Sequence, residues 1–185
     1  MHSWDQIVQL IAAGELQLLQ RTAQTTERYH KYKQELLQRN TTVVDVVVDE
    51  KLQWDRELLR QLALQHQDTP TAILSSPTLY TLLPNDFPYD FPSEVHHLVL
   101  WSKLPIPLYV ANSRQQVPAV RDLIERFLRT NLERYRVRTY AWFINYPHLQ
   151  SVKTISHIHL LVNSPDVNCI TEMLESGFRP VEDGK

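Results

Sequence analysis

Glycine is nearly missing from this 185-residue chain, which has only Gly14, Gly177 and Gly184. Neither a P-loop nor a dinucleotide fingerprint can be written without closely spaced glycines, so a phosphate bound here is met by another device. Cysteine is represented by Cys169 alone, which excludes an internal disulfide and a Cys-rich zinc site and points to a reducing compartment. No run approaches the roughly 18 consecutive apolar residues of a membrane span. The start, Met1-His2-Ser3-Trp4-Asp5, has neither the basic-then-apolar order of a secretory signal nor the Arg-rich look of a transit peptide. The expected location is the cytosol, extending to the nucleus. Charge of one sign is not in excess either: Lys and Arg total 19 against 21 Asp and Glu. That balance argues against a dedicated nucleic-acid binder. Seven arginines lie between positions 114 and 138 against three acids, and they are read as a solvated, salt-bridged helix face.

What is present is ordinary globular material, 43% hydrophobic and 22% charged, and a chain of this length buries about 70% of its unfolded surface. Ser3 and Gln6 have capping-box spacing ahead of Trp4, Ile7, Leu10 and Ile11, which predicts a first helix. Thr25 or Thr26 can cap a second, carrying Tyr29, Tyr32 and Leu36 on one side. Residues 41–64 mix β-branched valines with a 3.6-residue period and a Thr42/Asp45 start, and read as helix. After Asp68-Thr69-Pro70 proline becomes frequent and short apolar runs replace long periods. Strands are expected at Leu79–Leu83, His96–Trp101, Tyr140–Asn145 and Ile155–Val162. A long helix over 117–135 starts with Pro118 in its first turn, and a last helix runs from Pro165 to near Gly177. The fold class is therefore α+β, with a helical N-terminal region over 1–68 packed on a core over 69–185.

Four of the eight histidines fall in two apolar strands, Val95-His96-His97-Leu98-Val99-Leu100-Trp101 and Ser156-His157-Ile158-His159-Leu160-Leu161-Val162. A spacing of two puts His157 and His159 on one face. Adjacent imidazoles do not both charge cheaply, so at least one stays neutral near pH 7 and can serve as nucleophile, general base or metal ligand.

Asn145-Tyr146-Pro147-His148-Leu149-Gln150-Ser151-Val152 followed by His157-Ile158-His159-Leu160-Leu161-Val162 resembles the signature region of the histidine triad (HIT-like) superfamily. The stretch from His96 to Lys103 is similar to the strand those proteins place before their long helix. The resemblance covers roughly residues 80 to 163 and implies a HIT-like antiparallel sheet with a long packed helix. It also implies a nucleotide-binding protein, possessing at most the activity of a nucleotidyl hydrolase or transferase. His159 matches the central, nucleophilic histidine and His157 the first. Asn145 and Ser151 match phosphate contacts, His96 an additional histidine near the ribose, and Asp86 an acidic ribose contact. Leu161 stands where the third histidine would be; Lys103, His97 and His148 are candidates to supply the missing donor. Over nearly the whole chain, including Pro84-Asn85-Asp86-Phe87-Pro88-Tyr89 and Trp142-Phe143-Ile144-Asn145, the sequence also resembles the fungal N-acetylglucosamine-induced protein 1 family, whose name describes induction and no reaction.

Three functions follow as alternatives. The first is a HIT-like enzyme acting on a nucleotide conjugate without cofactor or metal. The second is a nucleotide or sugar-phosphate sensor, or an interaction protein, that keeps the pocket without the chemistry. The third is a His-based metal site, which lacks a carboxylate or cysteine at ligand spacing.

Overall fold

Alternation along the two histidine-bearing strands divides a small antiparallel sheet into two differently covered faces. In the computed structural model, which describes residues 1–181, the strands are β1 (Tyr80–Pro84), β2 (Val95–Ser102), β3 (Tyr140–Phe143) and β4 (His157–Asn163), in the order β1-β2-β4-β3. The β2/β4 register sets His97 against Leu161, Val99 against His159 and Trp101 against His157. Because side chains alternate, these residues share one face, and Leu98, Leu100, Ile158 and Leu160 share the other.

The second face packs on α5 (Pro118–Arg134) and α6 (Val167–Ser176). Proline opens α5 where its missing N–H costs nothing, and Val120, Ile124, Phe127, Leu128 and Leu132 form the stripe buried on the sheet. Each such side chain contributes about 1.5–3 kcal/mol by leaving water. Glu125, on the flank of α5, takes the Tyr140 hydroxyl and the Trp142 indole N–H, both at 2.6 Å, and so ties the helix to edge strand β3.

The N-terminal third roofs the histidine face. Helix α1 (Trp4–Ala13) has the expected Ser3/Gln6 capping box and ends at Gly14, in the left-handed region at φ 73°. A Cβ there would stand 2.8 Å from the Tyr146 hydroxyl, which donates to the Gly14 carbonyl at 2.8 Å, so close approach and backbone shape both call for glycine. Ile7, Leu16 and Leu19 pack with Val95, Phe143, Tyr146 and Leu161 of the core. Helix α2 (Ala23–Gln38) is capped by Thr22, whose hydroxyl accepts from the Thr25 N–H at 3.0 Å. Thr25 and Thr26 lie inside the first turn, because Thr22 is the last residue with extended backbone.

Residues 41–64, expected as one helix, are two. A single turn, α3 (Val43–Asp45), is capped by Thr42 and Asp45 as expected and widens into a π-helical segment, Val46–Leu52. This segment stops at Gln53, at φ 53°, and α4 (Arg56–Gln65) restarts behind a new cap, Asp55, which accepts from the Leu58 N–H at 2.9 Å. The wide turn sends Val47, Val48 and Leu52 together with Trp54 onto Val99 and Trp101 of the sheet. Among the described residues no helix is long and apolar enough to cross a membrane.

Candidate functional site

Between the histidine face and its helical roof lies a cavity. Its floor is Val99, Trp101, His157 and His159, and Asn145 and Ser151 close one side. Its roof and rim are Arg21 from the loop before α2, Tyr29 and Tyr32 of α2, Lys51 of the π segment, and Asn85, Asp86, Phe87 and Tyr89 of the loop after β1. The volume is about 90 Å³, room for about three waters and well below the ~300 Å³ at which pockets for drug-sized ligands begin.

The shorter hydrogen bonds assign the imidazole protons, and the longer approach of Asn85 Nδ2 to His97 Nε2, at 3.3 Å, is then left unmade. The Tyr89 backbone N–H donates to His97 Nδ1 at 3.2 Å, so that nitrogen has no proton. Burial, helped by the nearby Arg21 charge, pushes His97 down to about 3, so the ring is neutral and its proton is on Nε2. His97 Nε2 lies 2.8 Å from His159 Nδ1 and donates to it. His159 is held well below its ordinary range by burial, then by His97, His157 and Arg21. It is therefore neutral too, with its proton on Nε2. The Asn145 Nδ2 position is 2.8 Å from the Tyr89 hydroxyl and 3.4 Å from His159 Nε2. Both of these can donate, so the amide oxygen satisfies that position better, which turns the Asn145 NH₂ toward the cavity. Phe143 stacks on His159 at 4.7 Å and 7°.

His157 has the opposite tautomer. Its Nδ1 lies 2.8 Å from the Ile155 carbonyl, which can only accept, so Nδ1 carries the proton. Burial lowers its pKa against the opposing effect of that hydrogen bond, and the ring is neutral. Nε2 keeps its lone pair and has no hydrogen-bond partner among the described residues, on a side chain that lines the cavity. Trp101 packs against the ring at 4.6 Å and holds it in place.

Two cations line the same cavity. Arg21 is held by its Nε–H to the Phe87 carbonyl (2.9 Å) and lies over the Tyr29 and Tyr89 rings at 4.7 and 5.4 Å, without a carboxylate partner among the described residues. Lys51 pairs with Asp86, and partial burial lowers its pKa. A neutral imidazole lone pair, two cations, the Asn145 amide and the Ser151 hydroxyl thus line one cavity, a set of groups with the chemistry to meet a small anion bearing an electrophilic centre.

Of the residues singled out from the sequence, His157, His159, Asn145, Ser151 and Asp86 meet at this cavity. His97 stands behind it, as partner of His159. His96 does not reach it: one residue along β2 it points to the other face, where its Nε2 lies 3.0 Å from the Ser164 carbonyl. Lys103 lies past the end of β2, with its ammonium 5.4 Å from the centre of the Trp54 ring, and His148 stacks on Tyr146. Sequence reasoning missed Arg21, Lys51, Tyr29 and Tyr32. The two tyrosines carried a signal, since they share one face of α2; the two cations carried none. Among the described residues no three His, Cys, Asp or Glu side chains converge as a metal ion requires.

The fold and, over nearly the whole length, about a third of the sequence are shared with other proteins. The chain is 35% identical over 191 aligned residues to "Uncharacterized protein YPL067C" of Saccharomyces cerevisiae, covering 96% of this chain and 91% of that protein. It is 30% identical to "N-acetylglucosamine-induced protein 1" of Candida albicans over 95% of this chain and 73% of the relative. A solved structure titled "Crystal Structure of HTC1" superposes with a TM-score of 0.71 at 32% identity, covering 98% of this chain and all of that one. The model of one protein family, DUF3605, described as "Protein of unknown function", matches residues 3–163, which include both histidine strands and the whole roof. The chain belongs to the DUF3605 family.

Proposed function

We propose that the cavity receives the phosphate of a nucleotide or related phosphorylated small molecule, and that His157 is the group that acts on it. The observation that carries this reading is the His157 tautomer: an unprotonated, unpartnered Nε2 on a ring that lines the same cavity as Arg21 and Lys51. A lone pair there repels the oxygens of an ionised phosphate. It is suited to attack on phosphorus, with the cations neutralising the oxygens. In that step the Nε2–P bond forms as the bond from phosphorus to the leaving oxygen breaks. The leaving oxygen keeps the electron pair and meets a proton from solvent, and water then displaces the imidazole. This is the chemistry of the HIT-like reading with the roles of the two strand histidines exchanged. His159, whose Nε2 holds a proton and whose Nδ1 is occupied, positions Asn145 instead.

A second reading, a non-catalytic nucleotide or sugar-phosphate sensor, is favoured by Leu161. The position of the third triad histidine is fully buried among Ile7, Leu16, Leu19 and Phe143, away from any ligand. Both readings require the cavity to bind, and thermal unfolding against nucleotides, nucleotide sugars and sugar phosphates tests that requirement. A ligand at 100 times its Kd adds about 2.7 kcal/mol, a rise of about 5–10 °C for a chain of this size. A flat panel contradicts both. With a ligand in hand, His157→Asn abolishes turnover on the first reading, and no turnover by the wild type leaves the second.

A further inference from the structure

Lys51, one of the two cations lining the cavity described above, is already paired, and a phosphate that uses it must undo that pair. The volume of about 90 Å³ takes little more than a phosphate-sized group, and both partners of the Lys51–Asp86 pair line it. We infer that Asp86 is a built-in competitor for the site: its carboxylate holds Lys51 in the closed form, and the ligand's phosphate must take Lys51 away from it. This inference rests on the phosphate-binding reading.

The two sides of the latch are unequally free. The backbone of the Asp86 loop is held by two arginines, with Arg28 Nη2 of α2 donating to the Asp86 carbonyl at 2.7 Å and Arg21 Nε, from the loop just before α2, to the Phe87 carbonyl at 2.9 Å. Asn85 adds an internal turn, its Oδ1 accepting from the Phe87 N–H at 2.9 Å. Both arginines therefore bind main-chain oxygens and leave the Asp86 carboxylate to Lys51. Asp86 is half exposed, its side chain at 50%, and can swing to water by rotation about its own bonds without moving that backbone. Lys51, at 34%, is carried by the last turn of the π-helical segment, just before the left-handed Gln53. Helical segments of this kind are a common way to re-aim a side chain.

Charge decides the exchange. Closed, the site sets one carboxylate against Lys51 and leaves Arg21 without an anion among the described residues. A phosphate in the cavity faces both cations together with the Asn145 and Ser151 side chains, so it competes well for Lys51. The energy of the latch is then a tax on ligand affinity, since only the open fraction binds. An exposed ion pair of this kind supports a tax of about fivefold at most. The role inferred for Asp86 is thus opposite to that of a ribose contact, which would strengthen binding.

A double-mutant cycle read by calorimetry with AMP and with inorganic phosphate tests this on the full chain. The expected result is that Asp86→Asn tightens binding about fivefold, that Lys51→Met weakens it about tenfold, and that Asp86→Asn has no effect once Lys51 is methionine. Each variant is checked for an unchanged melting temperature; Asp86→Ala, which should behave as Asp86→Asn does, stands in if the first variant is unstable. Weaker or unchanged binding by both Asp86 variants overturns the latch while leaving the phosphate site intact. Equal tightening with and without Lys51 also overturns it, because the effect is then general repulsion. No binding by the wild type or any variant overturns the phosphate reading and the latch with it.

Discussion

Acidification from pH 7 to about pH 4.5 strongly destabilises this protein, and three histidines are the reason. His97, His157 and His159 are buried and neutral, with pKa values lowered chiefly by desolvation; that of His97 falls to about 3. In the unfolded chain each returns to about 6.5. The unfolded state therefore binds more protons than the native state whenever the pH lies between those values. Stability from these groups is fully present above the unfolded pKa and is lost as pH falls below it toward the folded values. His97 and His159 each cost about 1.4 kcal/mol per pH unit in that window, about 3 kcal/mol per unit together, and His157 adds to this in the same direction. Against a typical total of 5–15 kcal/mol, two units remove a large share of the stability. Urea midpoints measured from pH 7.5 to 4.5 check this, and a flat profile down to pH 5 contradicts the neutral, buried cluster. Asn in place of His97 should remove one proton from the slope.

Placing a histidine at position 161, where the HIT-like resemblance would want one, is expected to damage the protein without improving it. Leu161 has no exposed surface and packs under α1 against Ile7, Leu16, Leu19, Val95 and Phe143. Leu161→His removes buried aliphatic contacts and places ring nitrogens where no donor or acceptor waits. The expected loss is about 3–5 kcal/mol, seen as a large fall in the urea midpoint, with no gain in binding or turnover. A variant within about 1 kcal/mol of the wild type would mean that the site has room and polar partners there, and that α1 is a loose cover.

Much of the fold is legible in the sequence because its signals are local. Pro118 and the stripe from Val120 to Leu132 dictate α5, and Ser3 with Gln6 dictates the start of α1. The π segment is not legible: Val43 to Leu52 satisfies helix and strand rules alike, and the wider turn is chosen by packing on Val99 and Trp101. For the site, strand alternation correctly unites His157 and His159. Alternation also forbids His96 and His97 from sharing a face, but which of the two faces the cavity depends on register with β4, a long-range property. Tautomers lie further still from the sequence. That His157 keeps an unprotonated Nε2 and His159 does not follows from one carbonyl and one backbone N–H, donated in turn through His97. Arg21 and Lys51 reach the site only because the N-terminal third folds back over the sheet, and no spacing rule connects positions 21, 51 and 157.

The most direct measurement is a long-range ¹H–¹⁵N correlation spectrum of the imidazoles at pH 7.5, followed while AMP is added. The expected spectrum has His157 with its proton on Nδ1, and His97 and His159 with theirs on Nε2, as the hydrogen bonds at 2.8, 3.2 and 2.8 Å require. AMP should then shift the bare Nε2 of His157 while the other two rings keep their tautomers. A His157 that already carries its proton on Nε2, or is cationic, or ignores both AMP and inorganic phosphate at millimolar concentration, contradicts the site.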